Sequence, residues 1–124
     1  MKINGVELDF TLYDSANAEM KQRYFEELNK MRTVSQDVPK EATEKAQTEY
    51  LCNRVKQMFD SVFGEGTGEK VCGTNSNLLL CIGAYDQLVS EQIRQNKEYE
   101  SIMNHIRETT GQVLANEFTA GKVS

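Results

Sequence analysis

Apolar residues recur every three or four positions over residues 76–110, which is the spacing of one face of an α-helix. This stretch contains no proline, and its only glycine is Gly83. The pattern therefore predicts one long helix. The segment Leu78 to Tyr85 is apolar on nearly every side, so we expect it to be buried. Beyond Glu91 an apolar seam runs between charged faces, which is typical of a helix that meets water on most of its surface.

The opening of the chain carries a different pattern. Apolar and polar residues alternate over residues 2–12, which predicts a β-strand with one buried and one wet face. The dipeptide Asn4-Gly5 favours a tight turn, so a short hairpin is the alternative. A ribbon of two strands is not stable alone. It must lie against the helices or pair through its edge with a second copy of the chain.

Two more helices are predicted between the strand and the long helix. The first covers residues 14–33, where Asp14 or Ser15 can cap free backbone amides. The second covers residues 39–63 and opens at Pro39, whose missing N–H costs nothing in a first helical turn. Residues 64–75 are predicted to be a glycine-rich loop, and residues 111–124 a frayed tail. The chain is thus expected to be a mainly α-helical single domain, residues 1–124, with an N-terminal strand or hairpin and three helices.

The glycine-rich loop does not match the known phosphate-binding motifs. A P-loop requires Gly-Lys-Ser/Thr, but here Lys70 follows Glu69 and precedes Val71. The dinucleotide fingerprint G-x-G-x-x-G is also absent, and two glutamates, Glu65 and Glu69, would repel a phosphate. The loop is therefore interpreted as a turn, with Gly64 ending the second helix and Asn75 or Ser76 capping the third.

Charge and cysteine content narrow the function classes. The net charge is −5, which argues against a nucleic-acid backbone or an anionic membrane as the main partner. Three cysteines without C-x-x-C spacing and a single histidine, His105, predict neither a disulfide framework nor a metal site. Cys72 lies in the loop, where its thiol is expected to be exposed. No catalytic residue, cofactor site or metal site is predicted, and a protein without enzymatic activity is expected.

The second half of the long helix supplies a candidate protein interface. A helix of this length reaches roughly 50 Å, against about 36 Å for its predicted neighbours, at ~1.5 Å per residue. Apolar side chains on its far part would then stay exposed unless a second chain covers them. These residues are Tyr99, Ile102, Met103 and Ile106. Self-association or the binding of a partner helix follows as a hypothesis. A bend at Gln95-Asn96 is the alternative.

Three segments together resemble a family of small proteins from phages and prophages of Gram-positive bacteria, often encoded among tail genes. The matching segments are INGVELDF at Ile3 to Phe10, VFGEGTGEKVCG at Val62 to Gly73 and NLLLCIGAYDQLV at Asn77 to Val89. The shared motifs are structural, so no functional residue is carried over. The resemblance implies a role in tail morphogenesis, as a chaperone that shields a long helical tape-measure protein.

The expected protein is therefore a phage tail assembly factor without enzymatic activity. The alternatives are a self-associating structural tail component and, less favoured, a ligand-binding protein that uses the glycine-rich loop. No apolar run approaches the ~20 residues of a membrane helix, and no charged-then-apolar leader precedes the first strand. The expected location is therefore the cytosol of the host cell, or the virion for a structural component. The expected partner is a phage tail protein or a second copy, and neither nucleic acid nor membrane.

Overall fold

The computed structural model describes the backbone of residues 1–123 and the side chains of residues 1–117. The fold is mainly helical, with a short N-terminal strand pair and a long C-terminal helix, as the sequence predicts. The predicted number of three helices is wrong, because the described residues form five. Two of the five are short helices in segments that the apolar pattern does not mark.

The strand pair is a minimal hairpin. Strand β1 (Lys2–Ile3) pairs antiparallel with β2 (Val6–Glu7), with Lys2 opposite Glu7 and Ile3 opposite Val6. Asn4 and Gly5 have φ angles of 48° and 83°, and two consecutive positive values are what a tight two-residue hairpin turn requires. The predicted turn is confirmed. The strand predicted over residues 2–12 is wrong beyond Glu7, where β2 ends, although the alternation continues and Leu8, Phe10 and Leu12 are all buried.

Helix α1 (Ala18–Met31) follows a single 3₁₀ turn, Ser15–Asn17. Asp14 caps that turn as predicted, because its side chain accepts a hydrogen bond from the Ala16 N–H at 2.9 Å. Helix α2 (Val34–Asp37) is one short turn. The predicted first helix, 14–33, is therefore divided among a 3₁₀ turn and a shorter α-helix.

Helix α3 (Glu44–Phe63) begins later than the predicted second helix, 39–63. The predicted start at Pro39 is wrong, because Thr43 is the N-cap residue and the helix begins after it. The Thr43 hydroxyl accepts a hydrogen bond from the Ala46 N–H at 3.2 Å and so satisfies one free amide of the first turn. The predicted end is confirmed, since Gly64 closes the helix with a φ of 115°.

The predicted loop over residues 64–75 is wrong in its middle, where helix α4 (Thr67–Cys72) forms. Gly68 allows this helix to pack closely on α3. A Cβ at Gly68 would lie 2.5 Å from the backbone oxygen of Lys56. The Gly68 N–H also donates a hydrogen bond of 2.7 Å to the Asp60 carboxylate. Packing therefore explains Gly68, whereas Gly64, Gly66 and Gly73 have positive φ angles.

Helix α5 (Leu78–Val123) extends past the predicted end at residue 110, and the predicted frayed tail, 111–124, is helical as far as Val123. A lone glycine such as Gly111 costs a helix only about 1 kcal/mol, so it does not end one by itself. The cap of α5 is Asn77, whose side chain accepts from the Leu80 N–H at 3.2 Å, and neither Asn75 nor Ser76 has this role. The helix is unbroken through Gln95-Asn96, where a bend was the alternative.

The chain forms two compact units, Met1–Glu91 and Gln92–Ser124. The first unit contains the hydrophobic core, to which the hairpin and helices α1, α3, α4 and α5 all contribute buried side chains. Phe10 and Tyr24 meet edge to face, with ring centroids 4.9 Å apart. The second unit is formed by the rest of α5. The expected single domain over residues 1–124 stays a prediction.

Candidate protein interface

Four apolar side chains form a stripe on the part of α5 that belongs to the second unit. We use the term stripe for the four residues Tyr99, Ile102, Met103 and Ile106. Their spacing of three, one and three residues places them on one side of the helix. Their exposed fractions are 42%, 51%, 40% and 52%. Among the described residues, the second unit contains no other element that could cover the stripe from within that unit.

Further exposed apolar residues of the second unit extend this surface. Val113 lies seven residues after Ile106, which is close to two helical turns, and is 57% exposed. Leu114 is 62% exposed, whereas Ile93, which is 46% exposed, lies seven residues before Glu100 and so beside the stripe on another side of the helix. The sequence prediction of the interface left these three out. The apolar spacing that indicates Val113 and Leu114 continues across Gly111, whereas the predicted helix ends at residue 110.

Charged and polar residues border the stripe. Arg94 and Glu98 form an ion pair of 2.9 Å one helical turn apart, and both side chains are 60% exposed. The Arg107 guanidinium donates a hydrogen bond of 3.2 Å to the Asn104 side chain. Exposed ion pairs of this kind contribute little to stability. Their main effect here is to keep the borders of the apolar stripe hydrated.

The remaining candidate residues provide no second site of comparable quality. His105 is exposed on α5, as predicted for a surface histidine. Lys70, Glu65 and Glu69 are exposed on or beside α4. An apolar groove on the first unit is formed by Phe25, Leu28, Asn29, Arg32 and Tyr85. Sequence reasoning did not find this groove, because it depends on how α1 and α5 pack.

The three cysteines meet inside the first unit, each from a different helix. Cys52, Cys72 and Cys81 are fully buried, and the Cys81 thiol is within hydrogen-bonding distance of the other two. The predicted exposure of Cys72 is wrong, because α4 turns this side chain into the core. Burial raises the pKa of Cys52 from its ordinary 9.0 to about 12, with further contributions from Cys81. Burial also raises the pKa of Cys72 and Cys81. These thiols stay protonated at neutral pH and are poor nucleophiles.

Neither a metal-binding cluster nor a membrane-spanning helix is found within the described residues. No group of three or more histidine, cysteine, aspartate or glutamate side chains there is arranged to hold a metal ion. No helix of the described chain is both long enough and apolar enough to cross a bilayer.

Comparisons with known proteins give a match to one protein family. Neither a curated protein nor a solved structure matches the chain. One protein family does match, described as a family of unknown function (DUF6673), over residues 4–112. This range includes the hairpin turn, the core of the first unit and the stripe. The chain therefore belongs to the DUF6673 family of unknown function.

Proposed function

We propose that the protein is a non-enzymatic assembly factor whose working surface is the stripe on α5. The observation that carries this proposal is the exposure of four neighbouring apolar side chains, each between 40% and 52%, on one side of a helix. An amphipathic helix with an exposed apolar side binds other helices by burying that side against theirs. Burying apolar surface would stabilise such a complex by roughly 25 cal/mol per Å² before the costs of association.

The partner we propose is a long helical phage tail protein of the tape-measure type, held in the host cytosol until the tail is built. This part rests on the resemblance of residues 3–10, 62–73 and 77–89 to small phage and prophage proteins. The net charge of −5 supports a protein that remains soluble while it carries an apolar partner. The stripe supplies a contact surface of the right kind for a helix.

The second candidate is a structural tail component that self-associates through α5 and stays in the virion. The stripe supports this function equally well as a contact surface. The hairpin edge supports it poorly, because strands of two residues offer few free backbone groups to a neighbour. The ligand-binding alternative has less support still. The close contact of Gly68 with α3 requires a glycine at this position, so no bound ligand is needed to account for it.

Co-expression with a large phage tail protein of the tape-measure type tests the leading proposal. We expect affinity purification of this chain to recover both proteins, and the large protein to be insoluble when it is expressed alone. The double variant Ile102→Asp/Ile106→Asp should lose the partner, because two charges in the buried side of a helix pair are costly. Leu79→Asp is the matched control, since Leu79 is 88% exposed on α5 outside the stripe.

Two results would contradict the proposal. One is equal capture of the large protein by the stripe variant and by wild type. The other is the presence of this chain in purified tails at a fixed copy number, which would favour the structural component instead.

A further inference from the structure

The charges beside the stripe are arranged for a second copy of the same helix. At 100° per residue, Glu100 and Arg107 lie along one flank of the stripe, and Glu98 and His105 lie along the other. All four residues are exposed. Each flank therefore carries an acidic residue and a basic or neutral partner seven positions later. This is a self-complementary pattern, since reversing the direction of the helix exchanges the two members of each pair.

We propose that the stripe pairs with the stripe of a second copy of this chain, in antiparallel orientation. In an antiparallel pair of identical helices, like flanks face each other. Glu100 of one copy then faces Arg107 of the other, and this contact occurs twice because the pair is symmetric. A parallel pair instead brings Glu100 level with Glu98 of the second copy and joins no opposite charges. Charge complementarity thus selects the antiparallel arrangement.

The polar and apolar positions from residue 95 to residue 110 fit a two-fold axis close to the one that pairs these charges. An axis near Ile102 and Met103 places Tyr99 opposite Ile106 of the second copy, so apolar side chains meet apolar side chains. The same axis places the polar pair Gln95 and Asn96 opposite the polar pair Thr109 and Thr110. On this axis Glu100 of one copy and Arg107 of the other are two residues, or ~3 Å, out of register, a distance that flexible side chains can span.

The pairing should be weak and reversible. The apolar block from Tyr99 to Ile106 is only about 12 Å long at 1.5 Å per residue, which is short for a permanent dimer. A weak pair would cover the stripe while no partner is present and release it to a partner helix. This inference rests on the proposed function only in taking the stripe as a binding surface.

Sedimentation equilibrium of the full chain over about 5 to 500 µM tests the pairing. We expect a monomer–dimer equilibrium for the wild type. Glu100→Arg and Arg107→Glu should each raise the dimer dissociation constant roughly tenfold, because each places like charges opposite one another twice. The double variant Glu100→Arg/Arg107→Glu restores opposite charges in the antiparallel pair and should return the constant to within about threefold of wild type.

Lys97→Glu is the control, since it makes the same change in net charge as Arg107→Glu but lies on the side of α5 away from the stripe. It should change the dissociation constant by less than about twofold. Circular dichroism of every variant shows whether α5 remains helical. A wild type that stays monomeric at 500 µM overturns the inference, and so does a double variant that pairs no better than the single ones.

The outcome can be separated from that of the proposed function. A monomeric protein that still captures the tape-like partner keeps the proposed function and overturns the pairing. A dimer with the expected charge dependence that captures no such partner keeps the pairing and overturns the chaperone role.

Discussion

Asn4 connects the N-terminal hairpin to two helices distant in sequence. Its side-chain N–H donates to the Val71 carbonyl at 2.7 Å, at the end of α4. Its side-chain oxygen accepts from the Gln87 amide of α5 at 3.0 Å. Its backbone φ of 48° is one that asparagine tolerates better than most residues. The turn residue and the attachment point of the hairpin are therefore the same side chain.

Replacing Asn4 should destabilise the first unit in two separable ways. Asn4→Gly keeps the turn but removes the side-chain hydrogen bonds to Val71, Leu80 and Gln87, and we expect a loss of about 1–2 kcal/mol in the free energy of unfolding. Asn4→Ala should lose roughly 1 kcal/mol more, because alanine is strained at this φ. Urea denaturation followed by circular dichroism measures both. An Asn4→Gly variant as stable as wild type would show that these hydrogen bonds contribute nothing net.

At the scale of the element, helix α4 exists because one glycine lets it approach α3. The Lys56 atoms closest to a Cβ built on Gly68 are backbone atoms, at 2.5 and 2.6 Å, and backbone atoms cannot rotate aside. Gly83, in the part of α5 that belongs to the same unit, is the natural comparison. It has nothing within 4 Å of an added Cβ.

Gly68→Ala and Gly83→Ala should therefore have opposite effects. We expect Gly68→Ala to lower the free energy of unfolding by about 2–3 kcal/mol, as overpacking in a close contact does. Gly83→Ala should raise it by up to about 1 kcal/mol, since alanine is the better helix former. Thermal unfolding of the two variants beside wild type checks both signs. Equal changes in the two variants would mean that the close approach of α4 to α3 is not tight in solution.

Helix α5 shows how one element can serve two purposes. In the first unit its buried face supplies Cys81, Ala84 and Leu88, all fully buried, to the core. In the second unit the same three-and-four spacing continues as the exposed stripe. Between the two, Gln92, Gln95 and Asn96 interrupt the apolar spacing with polar side chains. A polar interruption of this kind limits the positions at which a second helix can pair.

At the scale of the whole molecule, the first unit contains four buried groups and one half-buried group, Tyr85, that ionise only in alkaline solution. Burial raises the pKa of Tyr24, Cys52, Cys72, Cys81 and Tyr85, and for Cys52 the value reaches about 12. Above about pH 9 the unfolded chain loses protons that the folded chain retains. Ionisation then stabilises the unfolded state and not the folded state, so folding becomes less favourable.

Stability should consequently be insensitive to these groups below pH 8 and fall as the pH rises from about 9 toward 12. The urea midpoint measured at pH 7, 9 and 10.5 tests this dependence. Cys52→Ala should lower the midpoint at every pH, because it leaves a cavity, but it should reduce the alkaline slope. A midpoint that rises between pH 9 and 10.5 would contradict the assigned burial of these side chains.

Local signals account for the features that the sequence predicted well. Asn4-Gly5 specifies its turn through backbone preferences alone, and Gly64 ends α3 for the same reason. The periodicity of α5 indicated the helix itself, but the expected burial of Leu78 to Tyr85 is wrong at Leu79 and Leu80, which are 88% and 39% exposed. The features that were missed depend on contacts between distant residues. Helix α4 and the burial of Cys72 follow from the approach of Gly68 to Lys56, which no property of residues 64–75 reveals.

The late position of α5 in the chain has a consequence for how the protein is made. The core cannot close until Leu88 has left the ribosome, because Leu88 is one of its fully buried side chains. Residues Tyr99 to Ile106 leave the ribosome after Leu88, because the chain emerges in order from its N-terminal side. The stripe of a nascent chain therefore reaches the solvent only once the first unit is able to fold. The order of synthesis itself limits premature association between nascent chains.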